Sequence, residues 1–345
     1  MQFGRGGKPS AGAFFDSDFA TIDTFLAQAV LHGLQGKNDC RVAIVTMTRP
    51  NLPVAGFVDA VERYYRGPAG NFAQVPPVGV RTEGAAGETP AGVTAPFEKK
   101  GPDGKPLHEN KVRTVIDTGD PNTLFRNYLE AQNDQNAFFV LAGPATNLAA
   151  ALQFRGMKEL IAAKIRFLVM AGGAFEANAG PETHFKADVA AAKRVLAEWP
   201  TPVILAGAEI GAAFPFPGAS IAKEFAANSP EHPVAELYRE WKTAGYNAPS
   251  DALAAALYAA RPKETYFKVS EAGTVTVHDD GRTSFVAAAG GKHQHLIVDA
   301  SQRDKVVQAY VDLASAKPVL PQRFRPPVAD KPADPLLNKP VKQPE

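Results

Sequence analysis

The 345-residue chain is 45% hydrophobic and 21% charged, with 37 basic against 36 acidic side chains. That balance argues against a broad basic surface for nucleic acid or an anionic membrane, and the single cysteine, Cys40, excludes an intrachain disulfide framework. No apolar stretch reaches the roughly 18 residues that cross a bilayer, and residues 1–12 lack the apolar centre of a signal peptide. The cytoplasm is therefore the default expectation, with a periplasmic or secreted location open if a leader has been removed.

Short apolar runs alternate with helical patterns through the first two thirds of the chain. Strands are expected at Ala13–Asp16, Arg41–Met47, Pro77–Arg81, Ala137–Ala142, Arg166–Ala171 and Val203–Ala206. Each is continuously apolar rather than alternating, as suits a strand buried on both faces of a parallel sheet. Helices are expected between them at Thr24–Gln35, Val54–Tyr65, Pro121–Ala131, Asn147–Gln153 and Ala187–Trp199. This order predicts an α/β fold with a doubly wound, mostly parallel sheet.

Residues 67–111 interrupt the rhythm with Gly-Pro-Ala-Gly, Pro-Pro, Gly-Glu-Thr-Pro and Gly-Pro-Asp-Gly-Lys-Pro. The segment reads as a long loop carrying one short strand, either a lid over the ligand end of the sheet or a surface excursion. After Asp251, Tyr266–Val269, Thr274–Val277 and Thr283–Val286 are rich in β-branched and aromatic residues and are separated by turns. They predict a carboxyl-terminal antiparallel β-meander attached to the main sheet, followed by a helix at Gln302–Ser315. One domain is thus expected over 1–316, with an extended Pro-rich tail over 317–345.

The chemistry concentrates at Phe14-Phe15-Asp16-Ser17-Asp18-Phe19-Ala20-Thr21-Ile22-Asp23, where three carboxylates fall between a strand and a helix. Ligands bind at that end of open α/β sheets. Crowded carboxylates repel one another, and a cation between them relieves the repulsion. The competing explanation is an acidic helix N-terminus, where aspartates are favoured by capping and by the helix dipole.

Asp16-x-Asp18-x-x-x-x-Asp23 resembles the amino-terminal Asp-x-Asp-Pro-Gly-x-Asp-Asp signature of the inosine–uridine nucleoside hydrolase family. Three further stretches agree in order: Gly143-Pro144-Ala145-Thr146-Asn147 with the Gly-Pro-Leu-Thr-Asn element, Met170-Ala171-Gly172-Gly173 with the Met-Gly-Gly strand end, and Ser250-Asp251-Ala252-Leu253-Ala254 with the His-Asp-Pro element. The resemblance covers roughly Ala13 to Asp299. It implies hydrolysis of an N-glycosidic bond, a small nucleoside or sugar-like substrate and a homo-oligomeric assembly. It also implies a Ca²⁺ site whose ligands are Asp18, Asp23, the Thr146 main-chain oxygen and Asp251. These hard oxygen donors suit that ion in kind. The resemblance makes Asp18 the base that takes a proton from the attacking water, with Asp16, one pleat earlier, supporting it from behind.

Departures from the family pattern are equally specific. Ile22 stands where an aspartate would contact the 2′-hydroxyl, Phe19-Ala20 replaces Pro-Gly, and Ser250 replaces a histidine often credited with protonating the leaving base. Arg49-Pro50-Asn51 stands where the family has Gly-Asn, which leaves Asn51 as a candidate substrate contact. In the family's Glu-Phe-Asn element the chain reads Glu182-Thr183-His184, so Glu182 is kept and His184 replaces the asparagine, with Asn178 a candidate for the upstream asparagine. The metal-ligand set is intact and the ribose-reading set is rewritten. A different sugar preference and a binding homologue without turnover both follow from that combination. His184 is either a substrate contact or a helix-capping surface residue.

Other features read as structural. Cys40 precedes a buried strand with no base near it. Trp199 and Trp241 read as packing anchors. His293-Gln294-His295 is expected to be solvated or locally hydrogen bonded, and Phe214-Pro215-Phe216-Pro217 either packs a loop or walls an aglycone.

Overall fold

The computed structural model describes residues 10–66, 75–242 and 245–319. Strand β1 (Ala11–Ser17) leads into helix α1 (Ile22–Gly36), β2 (Cys40–Met47) into α2 (Leu52–Arg66), and β3 (Gly79–Val80) into a long excursion that contains α3 (Ala95–Glu98). Then follow α4 (Pro121–Glu130), β4 (Ala137–Ala142), α5 (Thr146–Ala151), α6 (Met157–Lys164), β5 (Ile165–Ala171), α7 (Thr183–Ala187), α8 (Val189–Glu198) and β6 (Val203–Ala206). The last third holds α9 (Ala208–Ala213), α10 (Ala226–Asn228), α11 (Pro233–Trp241), α12 (Asp251–Ala260), β7 (Lys268–Val269), β8 (Gly273–Val277), β9 (Thr283–Ala287), β10 (His293–Ile297) and α13 (Arg303–Ala314).

The strands form one sheet in the order β3-β2-β1-β4-β5-β6-β10-β8-β9, with β7 paired to β10. Strands β1 to β6 run parallel to their neighbours, and β10 joins β6 in parallel through His293↔Val203. The six expected parallel strands are all present. Two apolar layers cover the sheet. One gathers α1, α2, α11, α12 and α13, and the other gathers α4, α5, α6 and α8. Helix α1 leaves β1 on the first side and α5 leaves β4 on the second, although β1 and β4 are neighbours. That divergence opens a crevice at the carboxyl ends of β1 and β4, which is where ligands bind in such sheets.

Several elements differ from the sequence expectation for physical reasons. The expected helix Ala187–Trp199 starts two residues later, at Val189, because the Asp188 side chain caps α8 by accepting from Ala191 N at 3.0 Å, and Ala187 ends the separate helix α7. Helix α12 carries no amphipathic stripe because it is buried on nearly every side against α1, β4 and β5. The carboxyl-terminal strands are not a simple meander. β8 and β9 form a hairpin, whereas β7 pairs antiparallel with β10. In the expected loop, 75–111 are described and include β3, α3 and a Lys100↔Pro106 bridge, while 67–74 lie outside the described residues. Most of the expected tail, from 320 onward, also lies outside them. Among the described residues no helix is long and apolar enough to cross a membrane.

The features expected to be structural pack accordingly. Cys40 and Trp199 are buried. His293 accepts from Val275 N through Nδ1 and places Nε2 2.9 Å from Leu196 O, and His295 stacks on Phe175. Phe214 and Phe216 are fully buried, so the Phe-Pro-Phe-Pro segment packs the loop.

Candidate active site

Asp16 is the penultimate residue of β1 and points into the structure with no exposure. Its Oδ1 accepts from Thr46 Oγ1 at 2.6 Å and from Asn147 Nδ2 at 3.0 Å, while Oδ2 is buried without a partner. Burial raises its pKa to about 7 against these hydrogen bonds. Asp18 follows the strand and keeps 8% exposure. Its Oδ1 accepts from Ala20 N at 3.2 Å, and its Oδ2 lies 4.0 Å from Arg49 Nε. Between Asp18 and α1 the chain turns through Phe19 at φ 50°, a left-handed conformation that bulky residues rarely adopt. The Phe19 ring is fixed between Phe15 and Phe25, and that packing holds the turn.

Asp23 lies in the first turn of α1 and Asp251 opens α12, so two helix N-termini meet across the crevice. Asp23 Oδ2 accepts weakly from Ala252 N at 3.4 Å. Burial drives both carboxyls toward the protonated form. Asp251 reaches about 7, with the negative charge of Asp23 adding to the effect. Gly211 on α9 allows this approach, since a methyl there would lie 2.7 Å from Asp251 Oδ1. Ser250, just before Asp251, is buried and donates to Phe214 O at 2.5 Å.

Glu182 caps α7, accepting from His184 N and Phe185 N at 2.9 Å each. His184 is buried, and its Nδ1 bonds the Ala171 carbonyl at the end of β5 at 2.9 Å. The same nitrogen lies 3.7 Å from Glu182 Oε1. Burial alone would depress its pKa, but Glu182, Asp18 and Asp251 together raise it to about 9. Thr146 starts α5 and donates from Oγ1 to Asp188 Oδ2 at 2.8 Å, next to the Gly143 turn that abuts the Asp18 backbone.

Asp16, Asp18, Asp23, Asp251, Glu182 and His184 therefore share one crevice, and Thr146 borders it. The other two candidates sit differently. Asn51 directs Nδ2 to Gly87 O at 2.9 Å, Glu88 O and Thr89 Oγ1, and its Oδ1 accepts from Val54 N. It holds the 87–89 segment to the start of α2. Asn178 is exposed in a turn at φ 63°. Sequence reasoning passed over two residues that matter here: Arg49, beside Asp18, and Asn147, which fixes Asp16. Both lie inside the matched elements, so position alone could have singled them out.

The model of the inosine–uridine preferring nucleoside hydrolase family matches residues 13–315. The chain belongs to that family. Among solved structures, a plant nucleoside hydrolase superposes with a TM-score of 0.62 at 19% identity, covering 89% of this chain and 100% of the other. A purine-preferring ribonucleoside hydrolase from Gardnerella vaginalis gives 0.61 at 16% identity, covering 88% and 98%. An inosine–uridine preferring nucleoside hydrolase from Bacillus anthracis gives 0.58 at 17% identity, covering 88% and 99%. No curated protein sequence matches this chain. Family and fold together make it a nucleoside ribohydrolase-like glycosidase.

Members of this nucleoside hydrolase family depend on a metal. The donors here fit a hard divalent cation in kind: three acidic side chains and a main-chain oxygen, two of the acids driven toward protonation by burial. Among the described residues, however, no three His, Cys, Asp or Glu side chains stand close enough together to hold one ion as they are.

Proposed function

We propose that this nucleoside hydrolase cleaves the N-glycosidic bond of a nucleoside or a related ribosyl-like substrate, using Ca²⁺ bound by Asp18, Asp23, Asp251 and the Thr146 main-chain oxygen. The observation that carries the reading is the meeting of Asp18, Asp23, Asp251 and Glu182 around His184 in the crevice between β1 and β4. When bound, the ion orients sugar hydroxyls and acidifies the attacking water.

Asp18 takes the proton from water as the water oxygen bonds to the anomeric carbon. The carbon–nitrogen bond breaks, and the base leaves with the electron pair through an oxocarbenium-like transition state. Asp16, pinned by Thr46 and Asn147, keeps the end of β1 in place beneath Asp18. Glu182 and His184 read sugar hydroxyls. Ser250 supplies no acid for the leaving base, because an alcohol does not donate its proton near neutral pH and its hydroxyl is tied to Phe214 O. The substrate is accordingly one whose base departs without help from that position.

Ile22 favours a second reading, a homologue that binds metal and sugar without turnover. It is 2% exposed and packed in the apolar layer, so it offers nothing to a 2′-hydroxyl. A panel of nucleosides and nitrophenyl ribosides assayed with added Ca²⁺, beside Asp18→Ala, separates the two. Turnover that the variant abolishes supports the hydrolase. Calorimetric Ca²⁺ binding with no turnover on any substrate supports the second reading. Homo-oligomerisation belongs to the proposal and is tested by sedimentation equilibrium.

A further inference from the structure

Arg49 is a permanent cation placed against the carboxylate read above as both base and metal ligand. Its Nε lies 4.0 Å from Asp18 Oδ2, and its side chain keeps 33% exposure against 6% for Asp18. Arginine does not lose its charge at any working pH. The 87–89 segment borders its stem: a methyl added at Gly87 would lie 3.6 Å from Arg49 Cβ and 3.7 Å from Cδ, ordinary contact distances. That segment is itself held by Gly87 N donating to Pro50 O at 3.3 Å and by Asn51 Nδ2 donating to Gly87 O and Glu88 O. Arg49, Pro50 and Asn51 thus form one unit in which the first residue faces the acid and the third secures the cover.

We propose that Arg49 is a built-in competitor of a divalent cation at Asp18, its fixed positive charge set against the carboxylate that would hold the ion. The inference rests on the reading of Asp18 as a cation ligand. A Ca²⁺ ion needs its oxygens at about 2.3–2.6 Å. An ion at that distance from Oδ2 would lie within about 7 Å of Arg49 Nε, close enough for the two like charges to repel. Metal binding and the Arg49–Asp18 contact therefore oppose each other. The 4.0 Å separation is longer than a hydrogen bond, and the side chain has an open path to solvent, so Arg49 is displaceable rather than locked.

Calorimetric titration with calcium chloride tests the proposal on the full chain, with circular dichroism to confirm folding of each variant. Arg49→Gln is expected to bind Ca²⁺ roughly five- to tenfold more tightly than the wild type, the effect of removing one partly exposed charge contact. Arg49→Lys is expected to stay near the wild type, and adding Asp18→Asn to Arg49→Gln is expected to remove the gain. Binding that appears only in Arg49→Gln also supports the inference. Equal or weaker binding by Arg49→Gln overturns it and leaves Ca²⁺ binding at Asp18 standing. An equal gain in Arg49→Lys overturns it by pointing to bulk rather than charge. No binding by any variant overturns both the inference and the Ca²⁺ reading.

Discussion

Asn147 donates a 3.0 Å hydrogen bond from Nδ2 to Asp16 Oδ1, joining the start of α5 to the end of β1. The same nitrogen donates to Met47 O at 3.0 Å, so the amide orientation is fixed by two acceptors. Asp16 needs this donor, since it is fully buried and its Oδ2 has no partner. Asn147→Leu removes the donor and leaves buried acceptors behind. The expected cost is about 2–3 kcal/mol, measured by urea unfolding, with reduced turnover because the support beneath Asp18 is lost.

Glu182 combines two tasks that one pair of variants separates. Its carboxylate caps α7 and is the leading positive influence on the pKa of His184, which burial alone would lower. Glu182→Ala loses both and is expected to cost about 1 kcal/mol of stability from the cap. Glu182→Gln keeps one of the two cap acceptors and loses the charge. Near wild-type melting with a lower kcat/KM in Glu182→Gln would place the main role at the sugar. Equal losses of stability in both variants would place it in the fold.

The parallel sheet was legible because its strands are buried on both faces and so appear as unbroken apolar runs, Ala137–Ala142 among them. Asp18, Asp23 and Asp251 were legible as candidates because their flanking elements match the family's in order. The details around them were not. Whether His184 faces solvent or the carboxylates depends on its bond to Ala171 O, thirteen residues away. Whether Asn51 reads substrate or holds the 87–89 segment depends on where a loop with no period of its own comes to rest. The Arg49–Asp18 contact joins two strand ends that the sequence separates by a whole helix. Helix α12 escaped notice because burial on nearly every side removes the stripe by which helices are recognised.

A buried histidine group away from the crevice is expected to weaken the fold in acid. His232 accepts from Val234 N through Nδ1 and meets Tyr65 Oη through Nε2 at 2.6 Å, so the fold requires its neutral form. Burial lowers His232 to about 3 and His108 to about 4, from an ordinary 6.5. A histidine depressed in this way supports folding above pH 6.5, and its contribution is lost as pH falls toward 4 and then 3. At about 1.4 kcal/mol per unit, several kcal/mol disappear over that window. Asp16 and Asp251, raised to about 7 by burial, act in the opposite sense over much of the same window, so the histidine contribution is read from the difference between wild type and variant. His232→Asn can still cap α11 but does not titrate, so it should start lower at pH 7 and decline less on acidification. A parallel decline in both proteins would assign the acid lability elsewhere.

Gly143 tests how closely the crevice is built. It lies in the turn between β4 and α5, against the turn that follows β1. A methyl there would sit 2.6 Å from Asp18 N and 3.2 Å from Ser17 C. These are main-chain atoms and cannot rotate aside, so the β1 end must shift as a unit and carry the Asp18 carboxylate with it. Gly143→Ala is expected to lose about 1–3 kcal/mol, the usual cost of overpacking a tight site. It should weaken calorimetric Ca²⁺ binding as well. Gly180→Ala is the control, because nothing lies within 4 Å of a methyl at that position; its stability should change by less than about 0.5 kcal/mol. Loss of stability with unchanged Ca²⁺ affinity in Gly143→Ala would show that the position of Asp18 does not govern cation binding.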